Sequence, residues 1–329
     1  MTAPRRLTSP LHAFTILLLA LAGLAAAAAP AGAYPMPGRV TGDTGIHDPS
    51  LLVRPSAFTK YVLFGTGNQT RISTDRIQFT NTGPAVAPQT WWQNFGATNF
   101  WAPDVSVQNG KYWMYYAVST FGSQKSAIGL ATSLTGDPGT FVDQGLVFQS
   151  APGAPYNAID PNLMVDASGR WWLTFGSFWR GIYTMQVSPS TGKPTSSNPT
   201  LYHLAERPTV AGDPIEAPII FRHAGYYYLF VSFDHCCQGA NSDYNIRVGR
   251  STSPTGPYVG PGGVNMLQGG GGLVLASHDN VRGPGGQSAR HDTDHDILIY
   301  HYYDANRSGQ PFLGINYIGW DANEWPYVW

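Results

Sequence analysis

Charge is scarce in this sequence. Asp, Glu, Lys and Arg make up 12% of the 329 residues, and 19 basic side chains face 20 acidic ones. Electrostatics therefore gives no support to nucleic acid or a membrane surface as a partner. Cysteine is rarer still. Cys236 and Cys237 are the only two, and they are adjacent, so no loop-closing disulfide framework can form within one chain. Two free thiols, a strained vicinal disulfide and an intermolecular bridge all remain open; export would favour oxidation. Two cysteines without nearby partners do not make a zinc site. Helical periodicity is missing after residue 33, and nothing beyond it is apolar enough to span a bilayer. The run Gly269–Gly272 lacks the Lys-Ser/Thr of a phosphate loop and reads as a connection between blocks of strands.

The first 33 residues read as a segment outside the fold. Arg5 and Arg6 precede an apolar run from Ala13 to Ala29, and Ala31-Gly32-Ala33 supplies small residues for cleavage. That pattern predicts a secretory signal peptide over 1–33 and an extracellular mature protein of residues 34–329. Aromatic residues are plentiful, at 13%. A secreted, Trp- and Tyr-rich chain with little charge suits a neutral ligand such as a sugar, although packed β structure also uses aromatics.

Short apolar runs alternate with Gly, Pro, Asn, Asp and Ser, an all-β signature. The runs come in similar blocks. An acid opens each of four: Asp48, Asp104, Asp160 and Glu216, every one 56 residues after the last. Each acid leads through one apolar run and a turn to an aromatic run, as from Glu216-Ala217-Pro218-Ile219-Ile220 to Tyr226-Tyr227-Tyr228-Leu229-Phe230. A fifth block, from Gly283-Pro284-Gly285-Gly286 to Ile297–Tyr303, lacks the acid. Four strands per block and five blocks predict a single five-bladed β-propeller. In a propeller, equivalent positions surround one axis, so the acids are expected to converge. Clustered carboxyls raise one another's pKa, letting one stay protonated while another is ionised. Glycoside hydrolysis needs that division.

The motifs carry a resemblance. Ile46-His47-Asp48-Pro49-Ser50, Asn157-Ala158-Ile159-Asp160-Pro161-Asn162 and Pro214-Ile215-Glu216-Ala217-Pro218 resemble the three acid motifs of glycoside hydrolase family 43. Phe100-Trp101-Ala102-Pro103-Asp104-Val105 resembles a further motif of that family. Ser232-Phe233-Asp234-His235-Cys236-Cys237 and Tyr300-His301-Tyr302-Tyr303-Asp304 resemble its endo-1,5-α-L-arabinanase branch. The resemblance spans essentially the whole of 34–329 and implies inverting hydrolysis of α-1,5-arabinan. By it, Asp48 is the general base, Glu216 the general acid, and Asp160 the residue that orients and tunes the acid. Asp104 keeps the phase but falls outside the family's catalytic trio, so it reads as structural. Phe100, Trp101, Phe178 and Trp179 are candidate sugar platforms, and Asn157 a candidate hydrogen-bonding partner of the substrate.

The resemblance also implies a cation, often calcium, held in the central channel by a His in the fifth block. Gly286 stands at that position, and no metal ligand is assigned, although His278 or His301 could substitute. No organic cofactor is expected, the partner is the polysaccharide, and the protein is expected to be a monomer. His291 and His295, among Asp292, Asp294 and Asp296, read as a solvated turn. Two rival readings are an exo-acting arabinanase, arabinofuranosidase or xylosidase of the same family, and a non-catalytic carbohydrate-binding propeller.

Overall fold

The computed structural model describes Met1 and residues 34–54, 56–96 and 99–329. The expected export signal, apart from Met1, lies outside the described residues.

The apolar runs form strands because they are rich in β-branched and aromatic residues and are cut by tight turns. Asn109-Gly110 and Ala224-Gly225 each place two successive residues at positive φ, as two-residue hairpin turns require. Five sheets result. The first contains β1 (Thr41–Gly42), β2 (Ser50–Val53), β3 (Tyr61–Gly65), β4 (Gln69–Ser73) and β5 (Gln78–Pro84). The second contains β6 (Phe100–Gln108), β7 (Lys111–Val118), β8 (Ser126–Ser133) and β9 (Val142–Ser150). The third contains β10 (Asn162–Val165), β11 (Trp171–Phe175), β12 (Ile182–Val187) and β13 (Tyr202–Ala205). The fourth contains β14 (Ile215–His223), β15 (Tyr226–Phe233), β16 (Asn245–Ser251) and β17 (Gly272–Leu275). The fifth contains β18 (Val281–His291), β19 (Asp296–Asp304), β20 (Gln310–Trp320) and β21 (Pro326–Val328). Successive strands within each sheet pair antiparallel; only the added edge strand β1 pairs parallel, with β5. The innermost strands β2, β6, β10, β14 and β18 touch one another around a closed ring. The fold is a five-bladed β-propeller.

Strand side chains alternate between faces, and here both faces are buried. Adjacent aromatics therefore serve different interfaces. Trp171 packs between the second and third blades, and Trp172 between the third and fourth. Tyr115 and Tyr116, Tyr227 and Tyr228, and Ile297 and Leu298 divide in the same way. Five apolar clusters fill the five blade interfaces. This is why the runs read as continuously apolar and why Trp171 and Tyr227 are core.

Polar side chains on the inner strands stitch neighbouring blades. Ser50 Oγ accepts from Val105 N, Asp104 Oδ2 from Leu163 N, and Asn162 Oδ1 from Ile220 N. Arg290 then closes the ring, donating to Leu51 O, Ser50 Oγ and Asp104 Oδ1. The connection through Gly269–Gly272 does not join two blades, as the sequence suggested; it joins β16 to β17 within the fourth. The acidic turn at 292–296 is not simply solvated either. The Asp292 side chain is fully buried, paired to Arg76 and bonded by Tyr61 of the first blade.

Candidate active site

Each inner strand begins or bends at a left-handed residue on the channel. Asp48, Ala102, Asp160, Ala217 and Gly286 have φ of 49°, 40°, 55°, 52° and 56°, and all five line the central channel. In the second, fourth and fifth blades a register shift marks the same place, the bulge geometry that re-aims side chains. These five positions are the structural repeat. The equal spacing of the four acids is therefore not structural equivalence. Asp48 and Asp160 occupy the repeated position, Glu216 lies one residue before it, and Asp104 two residues after.

The offset separates the acids. Asp48, Asp160 and Glu216 line one large open cleft at the channel mouth. Asp104 does not line it. Its carboxylate is buried in the channel, held by Arg290 at 2.5 Å, Asn162 Nδ2 at 3.2 Å and Leu163 N at 2.9 Å. The expected four-way convergence is thus a convergence of three, and the structural reading of Asp104 is the one its contacts support.

Each carboxyl in the cleft has its own partners. The Thr66 hydroxyl donates to Asp48 Oδ2 at 2.5 Å, and Thr66 Oγ1 accepts from Ala102 N. Its proton is thereby aimed at Asp48. Asp160 Oδ2 accepts from Ala217 N at 3.0 Å. Ser177 donates to Glu216 Oε2 at 2.6 Å, and the Tyr244 hydroxyl donates to Oε1. Burial pushes all three carboxyls up. Asp48 is drawn back by His47 and the Thr66 hydroxyl. Asp160 is held well above the carboxylate range, first by burial and then by the charges of Glu216 and Asp48. Glu216 is pushed up to about 7 by burial and by Asp48, against the Ser177 hydroxyl. The three titrate together. Asp48, with its compensating donor and imidazole, is the easiest to keep ionised; Glu216 is the carboxyl placed to hold a proton toward neutral pH.

Trp101, Asn157, Phe178 and Trp179 line the same cleft. Trp179 is 38% exposed, while Phe178 and Trp179 both sit at φ 51°, a strained pair that presents both rings at a loop. Phe100 does not line the cleft. It is 1% exposed and stacks on Tyr116 at 4.7 Å inside the first blade interface. A one-residue step along a strand changes face, so Trp101 reaches the cleft and Phe100 cannot. Sequence reasoning missed Phe121, 79% exposed on the β7–β8 loop, which also lines the cleft. It missed Thr66, Ser177 and Tyr244 as well. A hydroxyl just past the second strand of a blade is a signal that could have found the first two; Tyr244 lies in no motif.

His47, Asp48 and His301 bring possible ligand atoms within 4.8 Å of one another. They do not fit the His-held channel cation. A Cβ on Gly286 would lie 2.4 Å from Asp48 Oδ1 and 2.7 Å from His301 Nδ1, so a His has no room there. His301 does not replace it. Its Nδ1 accepts from Asp48 N at 3.2 Å, and burial keeps the ring neutral. The imidazole proton is then on Nε2, which leaves that nitrogen no lone pair for a cation; it finds no hydrogen-bond partner among the described residues. His278 bonds Asp279 instead.

The model for glycosyl hydrolases family 43 matches residues 43–326. The chain belongs to glycosyl hydrolase family 43. It is 45% identical over 291 residues to extracellular endo-α-(1→5)-L-arabinanase 1 of Bacillus subtilis strain 168, covering 85% of this chain and 87% of that one. Among solved structures it resembles the family 43 endo-arabinanase of Bacillus licheniformis, with a TM-score of 0.80 and 42% identity over 88% of this chain and 99% of that one. It also resembles an exo-1,5-α-L-arabinanase from a bovine ruminal metagenomic library, with a TM-score of 0.82 and 37% identity over 88% and 100%. The family 43 chain is thus a glycoside hydrolase, and relatives of both cutting modes share its propeller.

Proposed function

We propose that this family 43 hydrolase is a secreted, inverting endo-1,5-α-L-arabinanase that acts on the arabinan of plant cell walls. The observation that carries the reading is the unequal environment of three converging carboxyls. Asp48, relieved by Thr66 and His47, is the base; Glu216, retaining its proton to about pH 7, is the acid. Asp160, held by Ala217 N beside Glu216, tunes the acid. The Asp48 carboxylate takes a proton from water while that oxygen attacks the anomeric carbon. Glu216 gives its proton to the glycosidic oxygen as the C–O bond breaks. Single displacement inverts the anomeric centre, and a gap of roughly 6.5–9.5 Å between base and acid accommodates the water. No step runs through a cation. Residues 1–33 are the export signal, in keeping with the extracellular B. subtilis relative.

Product analysis on linear α-1,5-arabinan tests the reading. A ladder of short oligosaccharides should appear first, with freshly released β-anomeric ends by NMR. Glu216→Ala should lower kcat by about 10²–10⁴-fold. The similarity to an exo-acting structure gives a second reading weight; arabinose, or one short product, alone from the earliest time point would select it. An unmutated protein that binds arabinan without cutting would reduce the chain to a binding propeller.

A further inference from the structure

The loop between β15 and β16 forms part of the cleft wall. His235, Cys236, Cys237 and Tyr244 from it line the cleft together with Phe178 and Glu216. Cys236 and Cys237 are joined as a disulfide. Cys237 is exposed and Cys236 half-buried, and both border the cleft that a sugar would fill. The pair is close to the chemistry. Cys237 N donates to the Tyr303 hydroxyl at 2.7 Å, and the Tyr303 ring packs against His47, beside Asp48, at 5.5 Å. His235 approaches Phe178 with ring centroids 6.0 Å apart.

Bracing of the loop does not account for the disulfide. The loop is already tied by His235 N to Asp243 Oδ1, Gln238 N to Ser242 Oγ, Asp243 N to His235 O and Cys237 N to Tyr303. A bridge between neighbouring residues closes no long loop and adds little chain-entropy stabilisation. It does freeze two side chains and present polarisable, apolar sulfur to the cleft. A surface already ordered loses little freedom when a ligand docks. A furanose ring offers an apolar C–H face that such a surface fits.

We propose that the Cys236–Cys237 disulfide is a substrate-contacting wall of the cleft that takes the C–H face of an arabinofuranosyl unit, and so helps set affinity for the chain. This rests on the arabinanase reading. The test follows reduction of the disulfide by dithiothreitol in the intact Glu216→Ala protein. Each event moves two electrons and two protons from the dithiol to the protein, leaving two cysteine thiols and a cyclic disulfide, and alkylation with mass spectrometry counts the thiols. With arabinohexaose at ten times its Kd, reduction should slow about tenfold. Equal rates with and without the sugar, or two free thiols before any reductant, would overturn the proposal. As a second readout, Cys236→Ser/Cys237→Ser should raise KM for arabinan about five- to tenfold with kcat largely kept; an unchanged KM also overturns it. Calorimetry separates the two levels. Arabinohexaose that binds without protecting the disulfide sinks only this inference, whereas a sugar that does not bind sinks the arabinan reading beneath it.

Discussion

Ser177 shows how one hydroxyl sets a working pH. It donates to Glu216 and favours the carboxylate, against burial and the charge of Asp48. In the mechanism Glu216 must be protonated, so activity is present below its pKa of about 7 and falls as pH rises through it. Ser177→Ala removes a donor to the charged form and lets the pKa rise. The alkaline limb of kcat/KM should move to higher pH, leaving the variant about threefold more of its maximal rate at pH 8 than the parent retains. A pH profile in which the limb moves down or stays fixed would contradict the assignment of Glu216 as the acid. At this scale the three acids were legible in the sequence because each lies at the entry to an apolar run with Pro close behind. Thr66, Ser177 and Tyr244 were not. Their partners Asp48, Glu216 and again Glu216 lie 18, 39 and 28 residues away, and only the register of blades and loops joins them.

The element that matters most is the left-handed bend at the head of each inner strand. Non-glycine residues there are strained by about 1–3 kcal/mol, yet four of the five blades place one at it. The bend turns the Asp48 and Asp160 side chains toward the cleft and leaves room in the fifth blade only for Gly286. Gly286→Ala would drive a Cβ into Asp48 Oδ1. Loss of kcat by about tenfold or more is expected alongside a lower Tm. Gly225→Ala is the control. It sits at φ 84° with nothing within 4 Å of the added carbon, so Tm should fall while kcat is unchanged. Equal kcat in both variants would show that the bend does not position the base. Strand existence was legible from apolar runs and turn residues, because composition and periodicity are local properties. The bends were not, and the regular spacing of the acids hid them. Loops vary in length between blades, so a constant interval along the chain can pair positions that the sheets do not superpose, as it did with Asp104.

Closure of the whole propeller draws on backbone and side chains together: Gly38 N donates to Ile315 O and Leu313 N to Thr44 O, both at 2.8 Å. Every strand of the fifth blade comes from the C-terminal segment, and β1 pairs within the first blade. The junction between them is held by the apolar cluster of Leu51, Leu63, Ile297, Ile299 and Leu313, by Arg76 on Asp292, and by Arg290 on Asp104. Arg290→Ala would leave Asp104 largely buried without its charge partner. Breaking such a pair costs about 3–5 kcal/mol, so the denaturation midpoint should drop sharply. Asp104→Asn/Arg290→Met, which removes both charges, should recover part of the loss. A midpoint unmoved by Arg290→Ala would mean the ring closes without Arg290, on the apolar cluster, the Arg76–Asp292 pair and the backbone bonds across the junction.

The sequence by itself determined the class of structure and the count of blades, and it marked four evenly spaced acids. Runs apolar on both faces, punctuated by turn residues, have no stable arrangement except sheets packed on sheets, and the repeat fixes their number. Tertiary structure alone decided which acids meet. Asp104 was turned into the channel by a two-residue offset, Phe100 into the core by a one-residue step, and Cys236–Cys237 into the cleft wall by a loop anchored on Tyr303. Such outcomes depend on side-chain direction and on contacts between blades. Both are set when the ring closes, and spacing along the chain does not encode them.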